Sequence, residues 1–257
     1  MRTRIFVVMA ACLSAAAFAG NDRFQVKADE FDPGHTHLVQ GAWLGGIGCP
    51  TNAKIALPNA TFTGVGGFDT FSDPACPTGD SEDKNVEGLL LAKTGPTGNF
   101  ASSFARIDGV RGEVLTELGW DIRKPGTSSA DPRGSHCGAG APRWNITARN
   151  PATGQEGFFF LGCNSPPAPV QMPGIGFIRM RWGAGGLFAF PATANPPCTP
   201  LASGLCNISG FEIRSLAIVF DEGQDTGGPD NFGLAVLDNI DINGTLVGKG
   251  PTDADAK

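Results

Sequence analysis

The sequence predicts an all-β protein, a two-sheet antiparallel sandwich of jelly-roll-like form with long loops pinned by disulfides. Three observations predict it. Short apolar runs with a period of two recur along the chain, separated by clusters of Gly, Pro, Asn and Asp, which is how strands and turns are written. No window repeats apolar residues at helical spacing over three turns. Gly and Pro number 37 and 20 of 257 residues, and only 17% of residues are charged, so turns rather than surface helices are the expected connections.

The chain begins with a targeting signature. Arg2 and Arg4 precede an apolar run from Ile5 to Phe18, and Ala17-Phe18-Ala19 has the form of a cleavage site. This predicts a signal peptide over residues 1–19 and one β-sandwich domain over 20–257. Cys12 follows two alanines, but the apolar run continues past it, so simple secretion is favoured over lipidation. The run is too short to span a bilayer, which needs about 20 apolar residues. The expected location is periplasmic or extracellular.

Ten strands are legible. Phe24 to Lys27, His37 to Leu44, Val86 to Lys93 and Phe100 to Ile107 are short runs bounded by turn residues. From Val114 to Ile122 the alternation places Val114, Thr116, Leu118, Trp120 and Ile122 on one side, with Leu115, Glu117 and Asp121 on the other. Trp144 to Arg149 follows. Phe158 to Leu161 is apolar on both faces and predicts a central, doubly covered strand. In Phe177 to Trp182, Ile178, Met180 and Trp182 face the core, while Arg179 and Arg181 face away. Leu216 to Phe220 is again apolar throughout. In Leu234 to Ile242, strict alternation puts Asp238 in one stripe with Leu234, Val236, Ile240 and Ile242. Ten strands suffice for two packed sheets. The loops 69–85 and 124–142 are long, and each holds a cysteine.

Cleavage would leave six cysteines: Cys49, Cys76, Cys137, Cys163, Cys198 and Cys206. An even count in an exported chain favours disulfides, whose connectivity spacing alone does not fix. Local pairing, Cys49–Cys76, Cys137–Cys163 and Cys198–Cys206, is the simplest expectation. No C-x-x-C pair supports a zinc site.

Charge excludes some partners. The formal net charge is −6, and removal of residues 1–19 takes away two arginines and no acid. An acidic chain without basic runs argues against nucleic acid, whose binding rests on Lys and Arg.

The candidate chemistry is sparse. Asp221, Asp225 and Asp230, with Glu222 and Asn231, lie in a glycine-rich loop, and Asp238 stands just beyond it. Calcium takes six to eight oxygen ligands, and glycines let loop carbonyls turn inward, so these aspartates are a candidate Ca²⁺ site. Asp238 in an apolar stripe needs a partner in any case, whether a cation, an arginine or backbone N–H groups. His35 and His37 could seed a metal site, but a polar loop accounts for them. No G-x-S-x-G motif is present. Arg143, Trp144, Arg179, Arg181, Glu117 and Asp121 form a candidate ligand-binding set of arginines, acids and an aromatic ring. The competing reading is cross-strand ion pairing of the arginines with Glu117 or Asp121. Tyrosine is absent, which counts mildly against a glycan platform, and Trp43, Trp120, Trp144 and Trp182 remain as large polar-edged rings.

The closing segment, Asp221-Glu-Gly followed by Gly233-Leu-Ala-Val-Leu-Asp-Asn-Ile-Asp-Ile-Asn-Gly244, resembles the last strands of secreted bacterial β-sandwiches of the jelly-roll or concanavalin-like type. Cys137-Gly-Ala-Gly-Ala-Pro-Arg-Trp-Asn145 with Phe160-Leu-Gly-Cys163 resembles a pattern in exported proteins of the same sort. The resemblance covers residues 86–247. It implies a sandwich like those of carbohydrate-binding modules, often with a structural calcium and sometimes with glycan binding, and it carries over no catalytic residue. The expectation is a secreted, non-catalytic sandwich that binds a glycan or another extracellular partner. An extracellular polysaccharide- or ester-cleaving hydrolase or lyase, and a structural or adhesive envelope protein, are the alternatives.

Overall fold

Alternation of apolar and polar residues builds two packed sheets. The strands are β1 (Gln25–Phe31), β2 (Val39–Leu44), β3 (Ala53–Ala56), β4 (Phe68–Phe71), β5 (Gly88–Lys93), β6 (Ser102–Asp108), β7 (Leu118–Arg123), β8 (Arg143–Arg149), β9 (Glu156–Gly162), β10 (Ile178–Trp182), β11 (Phe188–Pro191), β12 (Cys206–Asn207), β13 (Glu212–Phe220), β14 (Gly233–Ile242) and β15 (Thr245–Val247). This computed structural model describes residues 23–50, 53–56, 68–71, 76, 78–95, 97, 101–124, 141–162, 165, 177–221 and 233–251. The predicted signal peptide, Cys137, Cys163, Glu222, Asp225, Asp230 and Asn231 lie outside the described residues.

The seven-stranded sheet has the order β1-β6-β13-β8-β9-β11-β12. The six-stranded sheet has the order β10-β7-β14-β5-β2, with β15 paired to β14. The pairings are antiparallel, and β3 and β4 form a separate hairpin pair. The fold is a jelly-roll-like, two-sheet antiparallel sandwich, as the sequence predicts.

The core lies between the sheets. In β8 every second residue is buried, so Trp144, Ile146 and Ala148 point inward. In β10 the inward residues are Ile178, Met180 and Trp182. Trp120 of β7 stacks on Trp144 across the gap between sheets, with ring centroids 5.2 Å apart, and Trp182 meets Trp120 edge-on at 5.0 Å. Such aromatic pairs add about 0.5–1.5 kcal/mol each beyond the area they bury.

Two strands depart from strict alternation. The segment 114–117 is not the start of β7. Val114 bridges Glu212 of β13, and Leu118 begins pairing with β14. The chain is therefore crossing from one sheet to the other. The crossing reverses the expected faces: Val114 is 53% exposed and Leu115 is buried. In β14, Asn239 has φ 44°, and the register against β7 shifts between Asp238 and Asp241. The extra residue inverts the facing of the residues after it. Ala235 and Leu237 face the core before the bulge, and Ile240 and Ile242 face it afterwards. Val236 packs on the other side, with Cys49, Cys76 and Phe177. Asp238 thus shares its side with Val236 and not with Ile240 and Ile242.

Chain from the β2–β5 connection covers part of the outer face of the six-stranded sheet. The Cys49–Cys76 disulfide packs there with Phe177 and Val236. Arg123 places its guanidinium 4.8 Å from the Phe177 ring centre and donates to the Ile47 carbonyl at 3.3 Å. The Cys198–Cys206 disulfide closes the loop between β11 and β12.

Candidate functional site

Two surfaces collect the polar and aromatic residues. The first is the outer face of the seven-stranded sheet. Inward Trp144 and Ile146 on β8 leave Arg143, Asn145 and Thr147 on this face. Inward Phe159 and Leu161 on β9 leave Phe158 and Phe160 there. Asn145 is opposite Phe160, and Phe160 is opposite Phe190 of β11, so the three form one row across three strands. Phe190 is 55% exposed. The Phe158 and Phe160 rings meet edge-on at 5.0 Å. The Arg143 guanidinium lies 5.1 Å from the Phe160 ring centre and bonds both carboxylate oxygens of Asp221 at 2.5 Å. Asn145 Oδ1 accepts no hydrogen bond from the described residues. Rings, a fixed guanidinium–carboxylate pair and an amide side by side can take the apolar face of a ligand and some of its hydroxyls.

The second surface is the outer face of the six-stranded sheet, where the polar groups are covered. Asp121 of β7 is fully buried. Arg179 grips it with two bonds of 2.8 Å, and Asn239 Nδ2 donates to it at 2.8 Å. Arg179 also donates to the Thr78 carbonyl at 2.6 Å and to Thr78 Oγ1 at 3.1 Å. Asn239 Oδ1 accepts the Asp80 N–H at 3.1 Å. Asp238 accepts the N–H groups of Cys49 and Asn239, both at 2.5 Å. Arg181 pairs with Asp241 at 2.8 Å and lies 3.7 Å from Asp121. Glu117 hydrogen-bonds Asp241 through their carboxyl groups.

Burial dominates the titration of this cluster. It pushes Asp238 well above the usual carboxylate range, against the pull of its two N–H donors. It also raises Asp121, although Arg179, Arg181 and Asn239 oppose it. Asp241 is raised to about 7, first by burial and then by its bond to Glu117. Burial lowers Arg181, against the attraction of Asp121 and Asp241. Asp83 is raised by burial, which outweighs its bonds to the N–H groups of Glu87 and Asn85.

The predicted ligand set is divided by this geometry. Arg143 belongs to the aromatic face. Arg179, Arg181, Glu117 and Asp121 belong to the covered cluster and are joined to one another there, which is the competing reading of cross-strand pairing. Trp144 requires correction as a ligand platform: the alternation of β8 turns it inward, where it is fully buried against Trp120. Phe158 to Leu161 is covered on one side only. Asp121 is not a solvated surface acid, because covering chain shields its face of the sheet.

The candidate calcium set also separates. Asp221 is engaged by Arg143 beside the seven-stranded sheet, and Asp238 by backbone N–H groups on the six-stranded sheet. These two carboxylates do not form a shared ion site. Ligand atoms of Cys49, Cys76 and Asp121 lie within 4.8 Å of one another, but the sulfurs are bonded together and offer no thiolate. His35 and His37 both have positive φ in a turn organised by Asp32, which accepts the His37 N–H at 2.7 Å.

Sequence reasoning misses Phe190, Asn239 and Asp241 as site residues. Phe188-Ala-Phe-Pro191 carries a period-two signal, but it is four residues long and bounded by proline. Asn239 and Asp241 are visible as polar residues in an apolar strand. Their partners come from distant segments.

The fold and these surfaces define a disulfide-stapled β-sandwich with an outward aromatic face. Two solved structures have a similar shape, both family 11 carbohydrate-binding modules from Clostridium thermocellum. One, in complex with a beta-1,3-1,4-mixed-linked tetrasaccharide, is 11% identical at a TM-score of 0.37, over 89% of this chain and 93% of that one. The other, from the cellulosomal cellulase Lic26A-Cel5E, is 9% identical at a TM-score of 0.33, over 89% and 91%. No protein-family model and no curated protein matches the chain. No helix among the described residues is long and apolar enough to cross a membrane.

Proposed function

We propose that this chain is a secreted, non-catalytic β-sandwich that binds a glycan on the outer face of its seven-stranded sheet. The observation that carries the reading is the row Asn145–Phe160–Phe190, flanked by Phe158 and the Arg143–Asp221 pair. Sugar rings present C–H faces that pack on aromatic rings, and hydroxyls that bond to amides and charged pairs. Phenylalanine supplies the stacking surface in a chain without tyrosine. The two cysteine pairs among the described residues suit an oxidising compartment.

Affinity electrophoresis of the mature chain through gels containing soluble polysaccharides tests this. Phe160→Ala with Phe190→Ala should abolish retardation and leave the melting midpoint within a few degrees. Leu44→Ala, exposed elsewhere, should change nothing. Retention by no polysaccharide, or unchanged retention in the double variant, would remove the reading.

A structural calcium ion in the acidic loop 221–231 is a second part of the proposal. It rests on the sequence, with Asp238 no longer in the set. Ion binding to the native state raises the melting midpoint by mass action. An EDTA-treated sample whose midpoint does not move on adding Ca²⁺ would exclude it.

A further inference from the structure

We propose that Glu117, Asp241 and Arg181 form a proton-operated latch. In acid it holds the edge strand β10, and with it the loop 78–83, against the six-stranded sheet. The latch opens as the two carboxyl groups give up the proton they share.

The argument starts from geometry. Two carboxyl groups hydrogen-bond to each other only if one carries a proton, so the Glu117–Asp241 contact holds one proton between them. The pair joins three elements. Asn243 Oδ1, in the turn between β14 and β15, accepts the N–H of Thr116 at 2.8 Å and of Glu117 at 3.2 Å, and the Asn243 N–H donates to the Glu117 carbonyl at 2.9 Å. Asp241 Oδ1 accepts the Gly244 N–H at 2.8 Å within the same turn. Asp241 Oδ2 receives Arg181 from β10. In the sheet order β10 has β7 as its neighbour and stands at the edge, so side-chain ties from its outer face matter to its attachment.

Charge then gives the direction. The groups facing the pair are Arg181 and Arg179 on β10 and Asp121 on β7, with Asp238 beyond them on β14 and Asp83 in the covering loop. Loss of the shared proton leaves Glu117, Asp121 and Asp241 as three carboxylates around two arginines. Arg179 also carries the bonds to Thr78. When β10 shifts, the anchor of the loop 78–83 shifts with it.

The sign follows from Asp241 being raised to about 7 in the closed state. An opened pair titrates near the ordinary carboxylate value. The closed state therefore binds more protons, and opening becomes more favourable as pH rises. Linkage over this interval multiplies the opening constant by about thirtyfold from pH 5.5 to pH 8.5.

Hydrogen–deuterium exchange on the intact mature chain tests the latch, with rates corrected for intrinsic exchange. Peptides covering 78–83 and 178–182 should lose protection by about thirtyfold between pH 5.5 and 8.5 by that same linkage. Peptides covering 143–149 and 156–162 should not. Glu117→Gln keeps a hydrogen-bond donor without a titrating proton and should flatten the response. Equal protection at both pH values in the wild-type chain would overturn the latch, and so would an undiminished response in Glu117→Gln. If the variant fails to fold, the wild-type comparison with its internal control peptides still decides.

Discussion

Gly48 sits where the turn after β2 meets the covered cluster. A Cβ on it would lie 2.0 Å from the Glu87 carbonyl oxygen and 2.8 Å from Asp238 Oδ2. Backbone cannot yield as a flexible side chain does. Gly48→Ala must push the turn outward and stretch the bond from the Cys49 N–H to Asp238. Overpacking of this kind costs about 1–3 kcal/mol, and leaving the buried Asp238 oxygen unsatisfied adds to it. We expect the urea midpoint to fall by an amount in that range or above. A change below about 0.5 kcal/mol, ordinary for a surface substitution, would show that the turn is not docked there. Asn239 is the matching residue on the sheet. Its positive φ suits an asparagine, and its amide bridges Asp80 and Asp121. The sequence shows it as one polar residue in an apolar strand, and the bridge appears only once three distant segments meet.

Elements with unbroken alternation are legible in the sequence, and those that change course are not. β8 and β10 follow their period-two pattern residue by residue, so Trp182, Arg179 and Arg181 take their expected sides. The pairings Cys49–Cys76 and Cys198–Cys206 follow from proximity in sequence. β14 misleads because a bulge adds one residue and inverts every later side chain. Asn239-Ile-Asp reads as continued alternation until the backbone is seen. The segment 114–117 misleads for a related reason. Its apolar and polar residues alternate, yet it serves two sheets in turn. Glu117 therefore does not stand four residues from Asp121 on one strand face, but beside Asp241 at the turn before β15. Short strands such as β11, β12 and β15 carry too few residues for a period to register. The aromatic face is hidden for that reason, since Phe190 comes from β11.

At the scale of the whole molecule, the buried acids set how stability varies with pH. Asp121, Asp238 and Asp241 are all raised in the folded state. The native state then binds more protons than the unfolded chain above the ordinary carboxylate value. Their contribution is fully present below that value and is lost as pH rises through the folded values, about 7 for Asp241. Asp32 and Asp108 act in the opposite sense. Backbone and threonine bonds lower Asp32 against a desolvation cost, and Arg106 with Lys27 lowers Asp108. Those contributions are lost as pH falls through the folded values, below the usual carboxylate range. The two trends place the maximum on the acid side of neutrality. The Asp241 shift corresponds to an upper limit of about 4 kcal/mol, reduced in practice by solvent at the half-open turn. With the net charge of −6 adding self-repulsion as pH rises, the melting midpoint should fall by several degrees from pH 5 to pH 8. At about 2–4 °C per kcal/mol for a chain of this size, calorimetry resolves such a slope. Glu117→Gln should remove much of the fall near pH 7 while preserving the loss below pH 4. A midpoint that rises steadily from pH 5 to pH 8 would mean that these acids are ionised and paired throughout. The covered cluster would then be a fixed clamp rather than a store of protons.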